Sequence, residues 1–170
     1  MYDNILIPTD GSPGIGSAVE QCMMQAKQND ATVHVLYIID SRTHIMLPDA
    51  TQKKVVELLR EEGHRAVEHI HTIAKEHAIE CVTALKQGVP HDTILTYAQD
   101  QEIDLIIMGT HGRSGEEKRV LGSVTEEVVR NASIPVMTVR LTKKGVQFLQ
   151  LEDDESEDDD LPKEQQRYIG

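Results

Sequence analysis

The stretch IDLIIMGTHGRSGEEKRVLGSVTEEVVRN, residues 103–131, joins an apolar run to an amphipathic pattern through a glycine-rich segment. Its first part, residues 103–109, is apolar enough for a β-strand buried on both faces. Its last part, residues 122–131, has the apolar spacing of a short helix. Because strand, loop and helix follow one another in this order, the stretch predicts part of an α/β fold.

The same alternation extends along the chain. Apolar segments rich in β-branched residues predict five strands, at residues 4–9, 32–40, 80–88, 103–109 and 134–140. Amphipathic patterns between them predict four helices, at residues 14–28, 50–77, 90–100 and 122–131. Since alternating strands and helices are joined by right-handed crossovers, the chain is expected to form a single open five-stranded parallel sheet, Rossmann-like, with helices on both faces.

The second predicted helix carries a single apolar stripe. Its apolar residues recur at spacings of three, four and seven, which places them on one helix face. They are Val55, Leu58, Leu59, Ala66, Val67, Ile70, Ile73 and Ala74. We expect this stripe to face the sheet.

Length and composition indicate one domain followed by a tail. The chain has 170 residues, 39% of them hydrophobic, which is enough for one buried core. Residues 1–140 are assigned to this domain and residues 141–170 to a C-terminal extension. Within the extension, residues 152–160 are all acidic except Ser156. Such a block repels itself and is expected to be disordered.

Charge and cysteine usage restrict the expected partners and compartment. The formal net charge is −12, and the basic residues are scattered, so neither nucleic acid nor a membrane is an expected partner. Cys22 and Cys81 are the only cysteines and lack C-x-x-C spacing, which favours a reducing compartment and a role as buried small apolar residues. The longest apolar run, residues 35–39, is too short to cross a bilayer. We therefore expect a cytoplasmic protein.

The loop after the first strand reads PTDGSPGIGS, residues 8–17. Its glycines stand in the order G-x-x-G-x-G, the reverse of a dinucleotide-binding fingerprint, so that motif is excluded. Asp10 lies at the end of a predicted buried strand, where ligands bind in open sheets. There its carboxylate could accept hydrogen bonds from ribose hydroxyls. Alternatively, Asp10 or Ser12 caps the following helix.

The loop after the fourth strand has the pattern Gly109-x-x-Gly112, nine further residues, and then Gly122-Ser123. Glycines allow main-chain amides to approach a ligand closely. Ser123 is predicted to be the N-cap of the last helix, with Glu126 as its capping-box partner. Helix N-termini attract anions, so the stretch predicts a phosphate site.

The same loop carries positive or titratable side chains that could offset phosphate charge, namely His111, Arg113, Lys118 and Arg119. No Gly-Lys-Ser/Thr sequence follows, so the loop is not a Walker loop. Taken by its spacing alone, the segment also fits an ordinary flexible loop with solvated charges.

Four segments together resemble the universal stress protein family. They are NILIPTDGS (residues 4–12), YIID (37–40), GVPHDTI (88–94), and LIIMGTHGRSG (105–115) continued by LGSVTEEVVRNASIPVMTV (121–139). The likeness covers residues 1–140. It includes the signature G-x2-G-x9-G-[S/T] of the ATP-binding branch, at Gly109, Gly112, Gly122 and Ser123.

The resemblance implies a sheet of strand order 3-2-1-4-5 that holds ATP, with ADP or AMP as alternatives and Mg²⁺ arriving with the nucleotide. It places Asp10 on the ribose and the backbone of Ile38 on adenine. The residues it assigns to the nucleotide are Pro8, Thr9, Asp10, Ile38, Gly109, Gly112, Arg113, Gly122, Ser123 and Val124. We add His111 to the residues assigned to the nucleotide because its side chain could offset phosphate charge. It also implies a homodimer formed through the last predicted strand, over the residues from Pro135 to Arg140.

Three functions are compatible with the sequence. The first is a regulatory or stress-response protein that holds ATP, is at most a weak ATPase, and signals its occupancy to an unidentified protein partner. The second is a slow phosphoryl- or adenylyl-transferring enzyme on the same scaffold; the absence of an H-x-G-H element speaks against it. The third is a nucleotide-free module that binds another protein through its edge strand and acidic tail. Neither a metal site nor a catalytic residue is predicted.

Overall fold

The computed structural model describes residues 1–43, 46–110 and 121–140. Its β-strands are β1 (Asn4–Thr9), β2 (Thr32–Asp40), β3 (Cys81–Gly88), β4 (Leu105–Gly109) and β5 (Val136–Val139). Its α-helices are α1 (Gly16–Asn29), α2 (Asp49–Glu76), α3 (Pro90–Asp100) and α4 (Ser123–Asn131). Two short 3-10 helices, Pro13–Ile15 and Ser41–Thr43, follow β1 and β2. The predicted tail lies outside the described residues.

The strands form one parallel sheet in the order β3-β2-β1-β4-β5. This confirms both the predicted fold class and the strand order implied by the family resemblance. The chain builds outward from β1 to β3 and then returns to place β4 on the other side of β1. The switch in direction between β1 and β4 leaves a crevice at the carboxyl ends of these two strands.

Side chains from alternate strand positions fill two cores, one on each face of the sheet. On the first face, Ile5 and Ile7 of β1 pack with residues of α1 and α2. On the second face, Leu6 of β1 packs with Ile94 of α3 and Val128 of α4. The prediction of helices on both faces is therefore confirmed. No helix in the described ranges combines the length and the apolar character needed to cross a membrane.

The predicted stripe of α2 faces the sheet only along its C-terminal half. Val67, Ile70 and Ile73 are buried, whereas Leu58 is 64% exposed. Including Leu58 in the buried stripe was wrong. A helix of 28 residues is about 42 Å long, whereas a strand of nine residues spans about 30 Å. The first turns of α2 consequently extend beyond the sheet.

The second core contains a buried polar pair. His34 of β2 is 7% exposed, and its Nδ1 lies 3.1 Å from the hydroxyl of Tyr97 in α3. The two rings meet edge to face at 5.9 Å between centroids. Burial lowers the pKa of His34, which favours the neutral imidazole at physiological pH. The pair thus satisfies polar groups inside an otherwise apolar core.

The two cysteines have the character expected of core residues. Cys22 is fully buried in α1, and Cys81, at the start of β3, is partly buried. Burial raises the pKa of both thiols, that of Cys81 to about 11. Because the thiolate is the reactive form, neither cysteine is activated as a nucleophile.

Candidate functional site

A cleft of about 480 Å³ opens at the carboxyl ends of the strands, at the crevice between β1 and β4. This volume is within the usual range for small-molecule sites. Eight of the residues assigned to the nucleotide lie along it: Pro8, Thr9, Asp10, Ile38, Gly109, Gly122, Ser123 and Val124. The other three, His111, Gly112 and Arg113, lie outside the described residues.

The end of β1 turns sharply at the middle of the cleft. The N–H of Gly11 donates to Oγ1 of Thr9 at 3.1 Å, and the N–H of Ser12 donates to Oδ1 of Asp10 at 2.9 Å. Gly11 has φ of 74°, a left-handed conformation that glycine adopts without strain. This turn holds the Asp10 carboxylate at the cleft wall.

Ser12 does not cap the following helices with its side chain. Ser12 is the N-cap of the 3-10 helix Pro13–Ile15 but makes no side-chain cap bond, and α1 also begins without one. The alternative in which Asp10 or Ser12 caps the next helix is therefore wrong for Ser12. For Asp10, the described contact is with the backbone of the turn.

The N-terminus of α4 is anchored to the end of β4. The N–H of Gly122 donates to the carbonyl of Thr110 at 2.7 Å. The buried hydroxyl of Thr125 donates to the carbonyl of Gly109 at 3.0 Å. These two bonds fix the position of the helix start relative to the strand, even though residues 111–120 lie between them.

The predicted capping box is wrong. Gly122, with φ −69° and ψ 155°, is the N-cap, and α4 begins at Ser123 without a side-chain cap bond. A hydroxyl caps a helix only from the extended N-cap position, and Ser123 already has the helical conformation. Glu126 instead pairs with Arg130, at 2.7 Å between Oε1 and Nη2.

The first turn of α4 presents backbone donors to the cleft. The first backbone acceptor of the helix is the carbonyl of Gly122, which is bonded to the N–H of Glu126. The N–H groups of Ser123, Val124 and Thr125 come before that of Glu126, so they have no carbonyl acceptor within the helix. All three residues lie along the cleft. Together with the positive end of the helix dipole, they can bind an anion.

The opposite end of the cleft is largely apolar. Ile38 of β2 lies there with Pro90, the first residue of α3, because β2 and β4 lie on opposite sides of β1. Asp40, the last residue of β2, and Arg42 complete this end. The cleft therefore combines donors at one end, a carboxylate in the middle and an apolar surface at the other end.

Sequence reasoning did not assign eleven of the residues that line the cleft, and four of these are Asp40, Arg42, Pro90 and Ile94. The segments YIID and GVPHDTI contain three of these four and were noted only as parts of a family pattern. Arg42 belongs to neither segment. A D-x-R sequence after a predicted strand was the available signal. Among the described residues, no group of three His, Cys, Asp or Glu side chains could hold a metal ion.

The fold and the cleft define a doubly wound α/β protein with an open cleft at the topological switch point, where ligands bind in sheets of this kind. The family model of the universal stress protein family matches residues 1–140. The chain belongs to this family. It is similar to the Universal stress protein MJ0531 of Methanocaldococcus jannaschii, with 38% identity over 145 residues, covering 85% of each chain.

Solved structures agree with this assignment. The structure of protein MJ0577, also from M. jannaschii, has a TM-score of 0.76 at 30% identity and covers 84% of this chain and 98% of its own. A universal stress protein in complex with cAMP has a TM-score of 0.63 at 21% identity, over 83% of this chain and 98% of its own. A universal stress protein family protein from Arabidopsis thaliana with AMP bound has a TM-score of 0.63 at 18% identity, and the match covers 84% of this chain and 94% of its own. At these lower identities the likeness is one of fold.

Proposed function

We propose that this universal stress protein binds ATP in the cleft and acts as a regulatory or stress-response module in the cytoplasm. The phosphates lie against the first turn of α4, and the ribose hydroxyls bond to Asp10. The backbone of Ile38 contacts the adenine. Mg²⁺ arrives with the phosphates, and the occupied state is recognised by a protein partner.

The observation that carries the proposal is the arrangement of three different surfaces along one cleft. The donors of α4, the carboxylate of Asp10 and the apolar surface at Ile38 line one cleft. Since they follow β4, β1 and β2, which are neighbours in that order in the sheet, they match the order phosphate, sugar and base of a nucleotide. Each is chemically suited to the part that it would meet: helix N-terminus to phosphate, carboxylate to hydroxyls, and aliphatic side chains to an aromatic ring. The cAMP and AMP complexes of two proteins with the same fold support an adenine nucleotide.

A holding role fits the described cleft better than catalysis. Its carboxylates are Asp10 and Asp40. Asp10 bonds to the turn and Asp40 bonds to Arg42, so neither is placed as a dedicated general base. We therefore propose that ATP turnover is slow or absent.

The test is to identify the nucleotide that co-purifies with the protein, by mass spectrometry under native conditions. We expect one adenine nucleotide per chain. Calorimetry on nucleotide-free protein then ranks ATP, ADP and AMP, and binding at 100 times Kd should stabilise the fold by about 2.7 kcal/mol. If no adenine nucleotide co-purifies, binds or raises the melting temperature, the proposal is refuted.

We further propose that the protein forms a homodimer through β5, the last strand. Within the described residues β5 pairs only with β4, so it forms one edge of the sheet. Pro135, just before this strand, and Thr138 within it are exposed. A second copy of the same strand would cover this edge.

Thr138→Pro is expected to convert the dimer to a monomer. The carbonyls of Pro135 and Val139 accept bonds from β4, and backbone groups alternate in direction along a strand. The N–H of Thr138 therefore points to the open edge, and proline removes it without breaking the bonds to β4. Sedimentation velocity measures the outcome. Thr138→Val, which keeps the N–H, should remain dimeric, and a dimeric proline variant would place the interface elsewhere.

A further inference from the structure

Arg42 is held in one orientation by Asp40. Its Nε donates to Oδ1 at 2.9 Å and its Nη2 donates to Oδ2 at 2.6 Å. The backbone N–H of Arg42 also donates to Oδ1, at 3.0 Å. The hydroxyl of Thr43 donates to the carbonyl of Asp40 at 2.8 Å. This bidentate pair, built on a tight turn, fixes the plane of the guanidinium far more firmly than a single contact would.

The pair lies at the apolar end of the cleft, away from α4. Arg42 and Asp40 lie at the end of β2, on the far side of β1 from β4, and they line the cleft together with Ile38 and Pro90. The Arg42 side chain is 55% exposed, so one part of the guanidinium is available to a ligand.

The charge at this end disfavours a phosphate. Hydrogen bonding to Asp40 raises the pKa of Arg42, and the carboxylate of Asp92 in α3 adds a weaker electrostatic effect in the same direction. The charge of the guanidinium is thus already offset by the carboxylate of Asp40 that it binds. A phosphate is better placed at the N-terminus of α4, which leaves a neutral group for the Arg42 end.

Guanidinium groups are planar and weakly hydrated, and they stack on aromatic rings. We propose that Arg42, oriented by Asp40, stacks on the nucleobase and makes the cleft selective for purines over pyrimidines. In this arrangement the base lies between the guanidinium and the apolar surface of Ile38 and Pro90. A purine offers two fused rings to this contact and a pyrimidine offers one. The inference rests on the proposed nucleotide site and assigns its specificity to a residue outside the glycine signature.

The test compares Arg42→Ala and Arg42→Lys by calorimetry with ATP, CTP and adenosine. We expect the wild type to bind ATP at least tenfold more tightly than CTP. Both variants should lose about 5-fold to 30-fold in affinity for ATP and for adenosine, as expected for one stacking contact, and less than about 3-fold for CTP. Lysine keeps the charge but not the plane, so it separates stacking from electrostatic attraction.

Asp40 is tested as a positioning residue through Asp40→Asn. Alone, this variant should weaken ATP binding by about 3-fold, because it removes the charge and one acceptor that orient Arg42. Added to Arg42→Ala, it should have no further effect. An equal effect in both backgrounds would show that Asp40 acts independently.

Several outcomes would overturn the inference while leaving the nucleotide site intact. The first is that Arg42→Lys binds ATP as tightly as the wild type does. The second is that the variants lose as much affinity for CTP as for ATP. The third is that the variants lose affinity for ATP but not for adenosine. If the wild-type protein binds none of the three ligands, the proposed function itself fails. Melting temperatures of the free variants, measured in parallel, should match that of the wild type, because Arg42 is exposed.

Discussion

Gly122→Val should abolish ATP binding and leave the fold intact. Gly122 has φ −69° and ψ 155°, an extended conformation that valine adopts readily. Its N–H can still donate to Thr110, and its carbonyl can still accept from Glu126. The branched side chain would, however, stand directly beside the N–H groups that are proposed to bind the phosphates. We expect the affinity for ATP to fall by at least about 100-fold, since several charge-assisted bonds of about 1.5–3 kcal/mol each are lost.

Calorimetry measures this affinity, and thermal unfolding of the free protein measures the fold. Gly122→Ala is the graded control: one methyl group should weaken ATP binding by about tenfold. The melting temperature of both free variants should stay within about 3 °C of the wild type. Unchanged ATP affinity in the valine variant would show that the phosphates do not approach α4.

Local sequence pattern predicted the central strands well and the outer boundaries less well. β1 and β2 begin and end where β-branched segments meet turn residues. β4 begins two residues later than predicted because Ile103 and Asp104 have other roles. Ile103 is buried in the second core. Asp104 accepts from the N–H groups of Asp3 and Asn4, at 2.8 and 2.9 Å, with its side chain.

Strand order and site geometry depend on contacts that periodicity does not encode. Alternation of strands and helices is equally compatible with several orders, and only the family resemblance selected the observed one. Likewise, the glycine signature located one end of the cleft. The other end depends on the pairing of Arg42 with Asp40 and on Pro90 from a helix some 50 residues further along the chain. Such a juxtaposition becomes visible only once the sheet is assembled.

The contact between α2 and β2 positions a residue of β2 that lines the cleft. Gly63 of α2 is buried, and a Cβ built on it would lie 2.6 Å from Cδ1 and 2.9 Å from Cε1 of Tyr37. Tyr37 itself is 3% exposed and lies along the cleft beside Ile38. The helix can approach the strand this closely only because residue 63 has no side chain.

Gly63→Ala should therefore destabilise the protein, against the ordinary trend for helices. In an exposed helix interior, alanine is favoured over glycine by about 1 kcal/mol. Here the added methyl overlaps the ring of a buried tyrosine, and overpacking of this kind costs about 1–3 kcal/mol. We expect a net loss of up to about 2 kcal/mol in the free energy of unfolding, and about 3 kcal/mol or more for Gly63→Val, whose branched side chain is also a weaker helix former.

Chemical denaturation of nucleotide-free protein measures both values, with His64→Ala as the matched control. His64 is the next residue of α2 and is exposed, so its replacement should change the free energy of unfolding by no more than about 0.5 kcal/mol. If Gly63→Ala proves stabilising, helix propensity outweighs the overlap, and α2 is free to move away from Tyr37. In that event the ATP affinity of Gly63→Ala should equal that of the wild type. If the contact between α2 and Tyr37 is fixed, the added methyl group displaces Tyr37, and the affinity for ATP should fall in proportion to the lost stability.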